Sequence, residues 1–237
     1  MNFDFDAAVP FARGTLYAAL RQDCGADWDA YVGHRFVRAL ATGALPKAEF
    51  IAWMVQDYLY LVHYARAYAL LIAKSDTLEQ MQSAARIVAG LLNDEMALHR
   101  RELIEAGVTE AALAQTPEAI ETLAYSRYIL DRAQAGDMLD LMVTLAACLA
   151  GYGEIGQRLL ADPGTVLEGN PYRDWIETYG GEGYQSLVRE GVTVLEAVAQ
   201  TRGGGARLPL LAAQFRQAVR LETAFWDAGR SALNATP

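Results

Sequence analysis

The chain has 237 residues, enough for one large domain or two small ones with a sizeable core. A formal net charge of −9 and a pI near 4.9 exclude a partner held through its phosphate backbone, because nucleic-acid binders need clustered Lys and Arg to displace counterions. The hydrophobic fraction of 53% is high for a soluble domain and points to a large core together with helices buried between subunits.

The N-terminal Met1-Asn-Phe-Asp-Phe-Asp carries acidic residues where a signal peptide would carry basic ones, and Cys24 and Cys148 are far apart. A cytoplasmic protein with reduced thiols is expected. Apolar residues then recur at three- and four-residue spacings almost throughout, which predicts an all-α fold in a single domain spanning residues 1–237. Helices are expected at 11–23, 27–42, 47–75, 77–106, 117–134, 137–161, 171–179, 182–201 and 207–233. They are separated at Gly43, Pro46, Gly107, Pro117, Gly136, Asn170-Pro171, Gly180-Gly181 and Gly203-Gly204-Gly205. Thr109 and Thr116 read as N-caps, the second followed by Pro117 at the first helical position. The longest apolar run, Leu141 to Tyr152, is too short to span a bilayer, so no membrane partner is expected.

In the helix 47–75, Gln56-Asp57-Tyr58-Leu59-Tyr60 places Asp57 and Tyr60 on one face beside Met54, Leu61 and Tyr64. An acid there is either exposed or paired with a base such as Arg66; functionally it would hold a basic ring nitrogen or orient a thiol. Tyr125 opens a helical face with Tyr128, Ile129 and Arg132, a pattern that by itself reads as core rather than site. Cys148 and Tyr152 lie four residues apart in Leu145-Ala-Ala-Cys148-Leu-Ala-Gly-Tyr152-Gly-Glu154-Ile155-Gly156 and so share a helical face. A free cysteine among Ala and Leu ordinarily serves as a small core hydrophobe, and its companions are what make it a candidate nucleophile. Trp175, Ile176 and Tyr179 follow on a short helix. In the last helix Glu222 sits among Val219, Phe225 and Trp226, either facing water or desolvated toward a pKa suited to acid–base work.

Only three histidines occur, His34, His63 and His99, and none lies in a Glu-x-x-His pair. Glu95 and His99, a turn apart, are the one pair that could serve a metal-dependent oxidase, but they read rather as a surface helix pair, so no metal and no cofactor are expected. There is no Gly-x-Ser-x-Gly and no Gly-x-x-x-x-Gly-Lys, and no Gly-x-Gly-x-x-Gly follows a strand.

In order, Gln56 to Tyr60, Glu95 to His99, Cys148-x-x-x-Tyr152-x-Glu154-Ile155-Gly156, Trp175-Ile176-x-x-Tyr179 and Glu222-x-x-Phe225-Trp226 resemble the thiaminase II (TenA) family from about His34 to Asp227. The resemblance implies a helical bundle like that of haem oxygenase, usually a homotetramer, and hydrolysis of an aminopyrimidine to hydroxymethylpyrimidine. The family's substrates are thiamin and its degraded aminomethyl-aminopyrimidine. By that analogy Cys148 attacks the pyrimidine ring and Glu222 is the acid–base carboxylate. Asp57 anchors the ring and helps position the thiol; Tyr152 and Tyr179 hydrogen-bond around the nucleophile and leaving group; Tyr60, Tyr125 and Phe225 stack on the ring. Cys148 places the chain with the cysteine subclass. Departures are Ala147 in place of Pro, and Ala150-Gly151 in place of a bulkier pair, which would widen the pocket beside the nucleophile.

Overall fold

A computed structural model describes residues 12–235, and every regular element among them is helical. The acidic N-terminal hexapeptide and the first residue of the expected helix 11–23 lie outside the described residues. The described residues divide into two compact units, one of residues 12–45 and 142–223 and one of residues 46–141 and 224–235.

The first unit begins with α1 (Leu16–Cys24), capped by Thr15 Oγ1, which accepts from Ala18 N at 3.2 Å. The expected helix 27–42 is two helices, α2 (Ala26–Val32) and α3 (Arg35–Thr42). The reason is His34: its backbone is extended (ψ 153°) and its Nδ1 accepts from Phe36 N at 3.3 Å, so it starts a new helix as an N-cap.

The second unit opens with the 28-residue α4 (Lys47–Lys74). Next come α5 (Leu78–Gly90), a π turn at Leu91–Glu95 and α6 (Met96–Glu105), which run on without a break over the span expected as one helix at 77–106. The start of α5 is a capping box in which Thr77 and Gln80 exchange side-chain to backbone bonds. Helix α7 (Glu110–Gln115) bears out the Thr109 cap. The Thr116-Pro117 start is not observed: α8 (Ile120–Ala135) begins three residues later. Gln56 of α4 sets that start, accepting from Ala119 N and Thr122 Oγ1, both at 2.8 Å, while donating to Pro117 O at 3.1 Å.

Helix α9 (Met138–Ala161) starts in the second unit and passes into the first. It is long and apolar enough to cross a bilayer, contrary to the expectation from the shorter run at 141–152, because the helix extends past that run at both ends. Most of its apolar stretch is buried within the protein, as befits a core helix. Helices α10 (Arg173–Gly180), α11 (Glu182–Thr201) and α12 (Leu208–Phe225) follow. The expected helix 207–233 breaks after Phe225, and α13 (Ala228–Ala235) lies across α4. Gly229 makes that approach possible: a Cβ there would lie 2.6 Å from Glu49 O and 2.8 Å from Trp53 Cα. Trp53 and Trp226 stack at 5.3 Å in the same core, each burial contributing on the order of 2–3 kcal/mol.

Candidate active site

In the first unit, α9 carries both Cys148 and Tyr152. Cys148 is half-buried and in no disulfide, whereas Tyr152 is buried. The Tyr152 ring lies 5.1 Å from that of Tyr179 and 6.0 Å from that of Trp175, and Tyr184 closes on Tyr179 at 4.8 Å. Two backbone features hold α10 in place. At Gly156 the helices touch, since a Cβ there would overlap the Tyr179–Gly180 peptide. Upstream, Asn170 Nδ2 donates to Leu40 O and Val166 O at 2.8 Å, and Tyr172 Oη donates to Leu45 O at 2.5 Å. Gln185, a residue the motifs did not single out, donates from Nε2 to Gly153 O at 2.9 Å and Tyr179 O at 2.8 Å.

Glu154 belongs to the same motif as Cys148 but serves the scaffold. Its carboxylate accepts from Arg21 Nε at 2.6 Å, Arg158 Nε at 2.8 Å and Trp28 Nε1 at 3.1 Å. Gly151 does not widen a pocket as expected. The Tyr31 ring occupies the space a Cβ would take, with its Cζ 2.9 Å from that point. Glu222 of α12 is 1% exposed, so the reading in which it faces water is overturned.

In the second unit, Asp57 of α4 is 3% exposed. It is paired with His99 rather than Arg66, which is exposed and lies 3.2 Å from His63. Asp57 Oδ2 meets His99 Nε2 at 2.8 Å, while His99 Nδ1 lies 3.0 Å from the carbonyl of Glu95. His99 is therefore no surface residue, and the π turn just before α6 is a geometry that clusters at functional sites. Tyr60 stacks directly on Tyr125, ring centroids 4.9 Å apart and planes 14° apart, and Phe225 lies 5.2 Å from Tyr60. The two tyrosines thus leave no slot between themselves, and a planar ligand would meet an outer face of the stack. Among the described residues, no three His, Cys, Asp or Glu side chains converge as metal ligands. A groove of about 950 Å³ in this unit, lined by Lys47, Ile51, Val55, Pro117, Ile120 and Leu233 among others, includes none of the candidate residues.

Burial disfavours the charged imidazolium of His99, but the hydrogen bond and charge of Asp57, with Glu95 beside them, outweigh it and raise His99 to about 9 from 6.5. A raised folded-state value stabilises the fold fully below about pH 6.5, and that contribution is lost as pH climbs through about 9. Urea unfolding across pH 6 to 10 should show this decline in wild type and a flatter profile in His99→Gln. Equal profiles would show that His99 is not held charged.

The chain is 34% identical to the aminopyrimidine aminohydrolase of Halalkalibacterium halodurans over 89% of its own length and 93% of that protein. Among solved structures, a TenA family transcription regulator from a Silicibacter species is 38% identical and superposes with a TM-score of 0.84, covering 91% of this chain and 96% of the other. A Shewanella denitrificans domain with a heme oxygenase-like fold, 14% identical, superposes at 0.71 over 92% and 93% of the two chains, which establishes the fold expected from the motifs. Residues 22–232 match the TENA/THI-4/PQQC family, and the chain belongs to it.

Proposed function

We propose that the chain hydrolyses thiamin-related aminopyrimidines, 4-amino-5-aminomethyl-2-methylpyrimidine or thiamin, to 4-amino-5-hydroxymethyl-2-methylpyrimidine, using Cys148 as nucleophile. The observation that carries this reading is the half-buried Cys148 one helical turn from Tyr152, whose ring adjoins Tyr179 at 5.1 Å. The similarity to an aminopyrimidine aminohydrolase along 89% of the chain supports the reaction class.

The Cys148 thiolate adds to a ring carbon of the pyrimidine, and Glu222 protonates the ring nitrogen that takes up the electron pair. With aromaticity broken, the ring expels the leaving group from the exocyclic methylene. Water adds to that methylene, and the thiolate departs as the ring rearomatises. Tyr152 and Tyr179 offer hydroxyls for thiolate and leaving group; Asp57 anchors the ring, and Tyr60, Tyr125 and Phe225 supply aromatic faces. The same reading makes the protein a cytoplasmic homotetramer, with the exposed apolar side chains Leu78, Ile120 and Leu210 as support for helix faces buried between subunits.

Purified protein incubated in parallel with the two pyrimidines, with product followed by chromatography, tests the proposal. Release from either substrate upholds it and ranks the two; binding without release from either would make the chain a pyrimidine-binding protein instead. Glu222→Gln keeps the shape of the acid and removes its proton. It should lower kcat by about 10²-fold or more and move KM much less, as expected for acid–base catalysis. A change confined to KM would reassign Glu222 to binding.

A further inference from the structure

His99 is a buried ionisable group that the mechanism above leaves unused, and its geometry is directional. The Glu95 carbonyl can only accept, so Nδ1 carries a proton. Nε2 then faces Asp57 Oδ2 at 2.8 Å. Among the described residues this is the hydrogen bond made by the Asp57 carboxylate, and it engages Oδ2, not Oδ1. A carboxylate held by one oxygen presents the other as a fixed acceptor, and an acceptor of that kind suits the exocyclic amino group of a 4-aminopyrimidine.

We propose that His99 is a positioning residue: bridging the Glu95 carbonyl and Asp57 Oδ2 with its two ring nitrogens, it locks the Asp57 rotamer and presents Oδ1 to the amino group of the pyrimidine. The inference rests on the function proposed above and adds to it the residue that orients its anchor. It also accounts for the π turn at Leu91–Glu95. That turn immediately precedes α6, and Glu95, its last residue, supplies the carbonyl that fixes the His99 ring.

Two measurements on the full chain test it. With only three histidines, nitrogen-15 spectra of the ring nitrogens resolve each one, and His99→Gln assigns the signal. His99 should remain doubly protonated at pH 8 and become neutral there in Asp57→Asn; a neutral His99 in wild type overturns the proposal. In steady-state hydrolysis of 4-amino-5-aminomethyl-2-methylpyrimidine, His99→Gln should raise KM about tenfold while kcat changes less than about threefold. Combining it with Asp57→Asn should cost no more than Asp57→Asn alone, because both changes remove one anchor. A wild-type KM in His99→Gln, or full additivity in the double variant, overturns the positioning role. If His99→Gln fails to fold, the wild-type and Asp57→Asn spectra decide. Should wild type hydrolyse neither pyrimidine, the functional reading falls and takes this inference with it, whereas active wild type with an unaffected His99→Gln removes the inference alone.

Discussion

Cys148→Ala is expected to reduce aminopyrimidine hydrolysis by about 10³-fold or more while leaving the fold intact, because the reaction as proposed has no other nucleophile to open the ring. The substitution is mild where it stands: Cys148 is a half-buried helical residue in an apolar stretch of α9 flanked by buried Ala147 and Ala150. The informative control is Cys24. Its thiol is buried, and desolvation, opposed by Arg216, pushes it up to about 12, far from the thiolate form at neutral pH. Cys24→Ala should therefore retain wild-type kcat. Comparing product release by the two variants, alongside circular dichroism, checks both statements; turnover at the wild-type rate in Cys148→Ala would end the covalent mechanism.

Glu154→Ala should be the most destabilising of the changes considered, by about 3–5 kcal/mol, because it strips two arginines and an indole N–H of their shared acceptor. The Glu154 side chain is only 1% exposed, and those of Arg21 and Arg158 are 16% and 27% exposed, so water replaces the lost bonds poorly. For a chain of this length the loss corresponds to a melting temperature lower by about 10 °C. Glu154→Gln, which keeps the shape and one acceptor oxygen, should lose less. Calorimetry of both variants checks the order, and a Glu154→Ala melting temperature within about 2 °C of wild type would show that solvent already screens the network.

The candidate residues split by how they can be read. Tyr152 four residues after Cys148 is legible because helical periodicity alone puts the pair on one face; the close contact at Gly156 is not, because the Tyr179–Gly180 peptide it meets belongs to another helix. His99 was misread for the same kind of reason. Its neighbours Arg100 and Arg101 are exposed, and local sequence makes the segment look solvated; only the opposite helix, with Asp57 on it, turns the residue inward. Glu222 is similar: as a lone carboxylate in an amphipathic pattern it reads as surface, yet it is 1% exposed. Tyr31 fills the space over Gly151 from 120 positions earlier in the chain, a contact no local window contains.

The sequence by itself determined the helical class, most helix breaks, the Thr109 cap and the membership of Cys148, Tyr152 and Tyr179 in one ordered motif set, because each depends on residues within a few turns of one another. Tertiary structure alone decided that Asp57 is bonded to His99, that Glu154 is a scaffold acid, that the helices expected at 27–42 and 207–233 are broken at His34 and after Phe225, and that the helix expected at 77–106 carries a π turn. A buried charge takes whichever partner its packed neighbours supply, and a helix bends where a cap or a close backbone contact elsewhere in the fold outweighs its own periodicity.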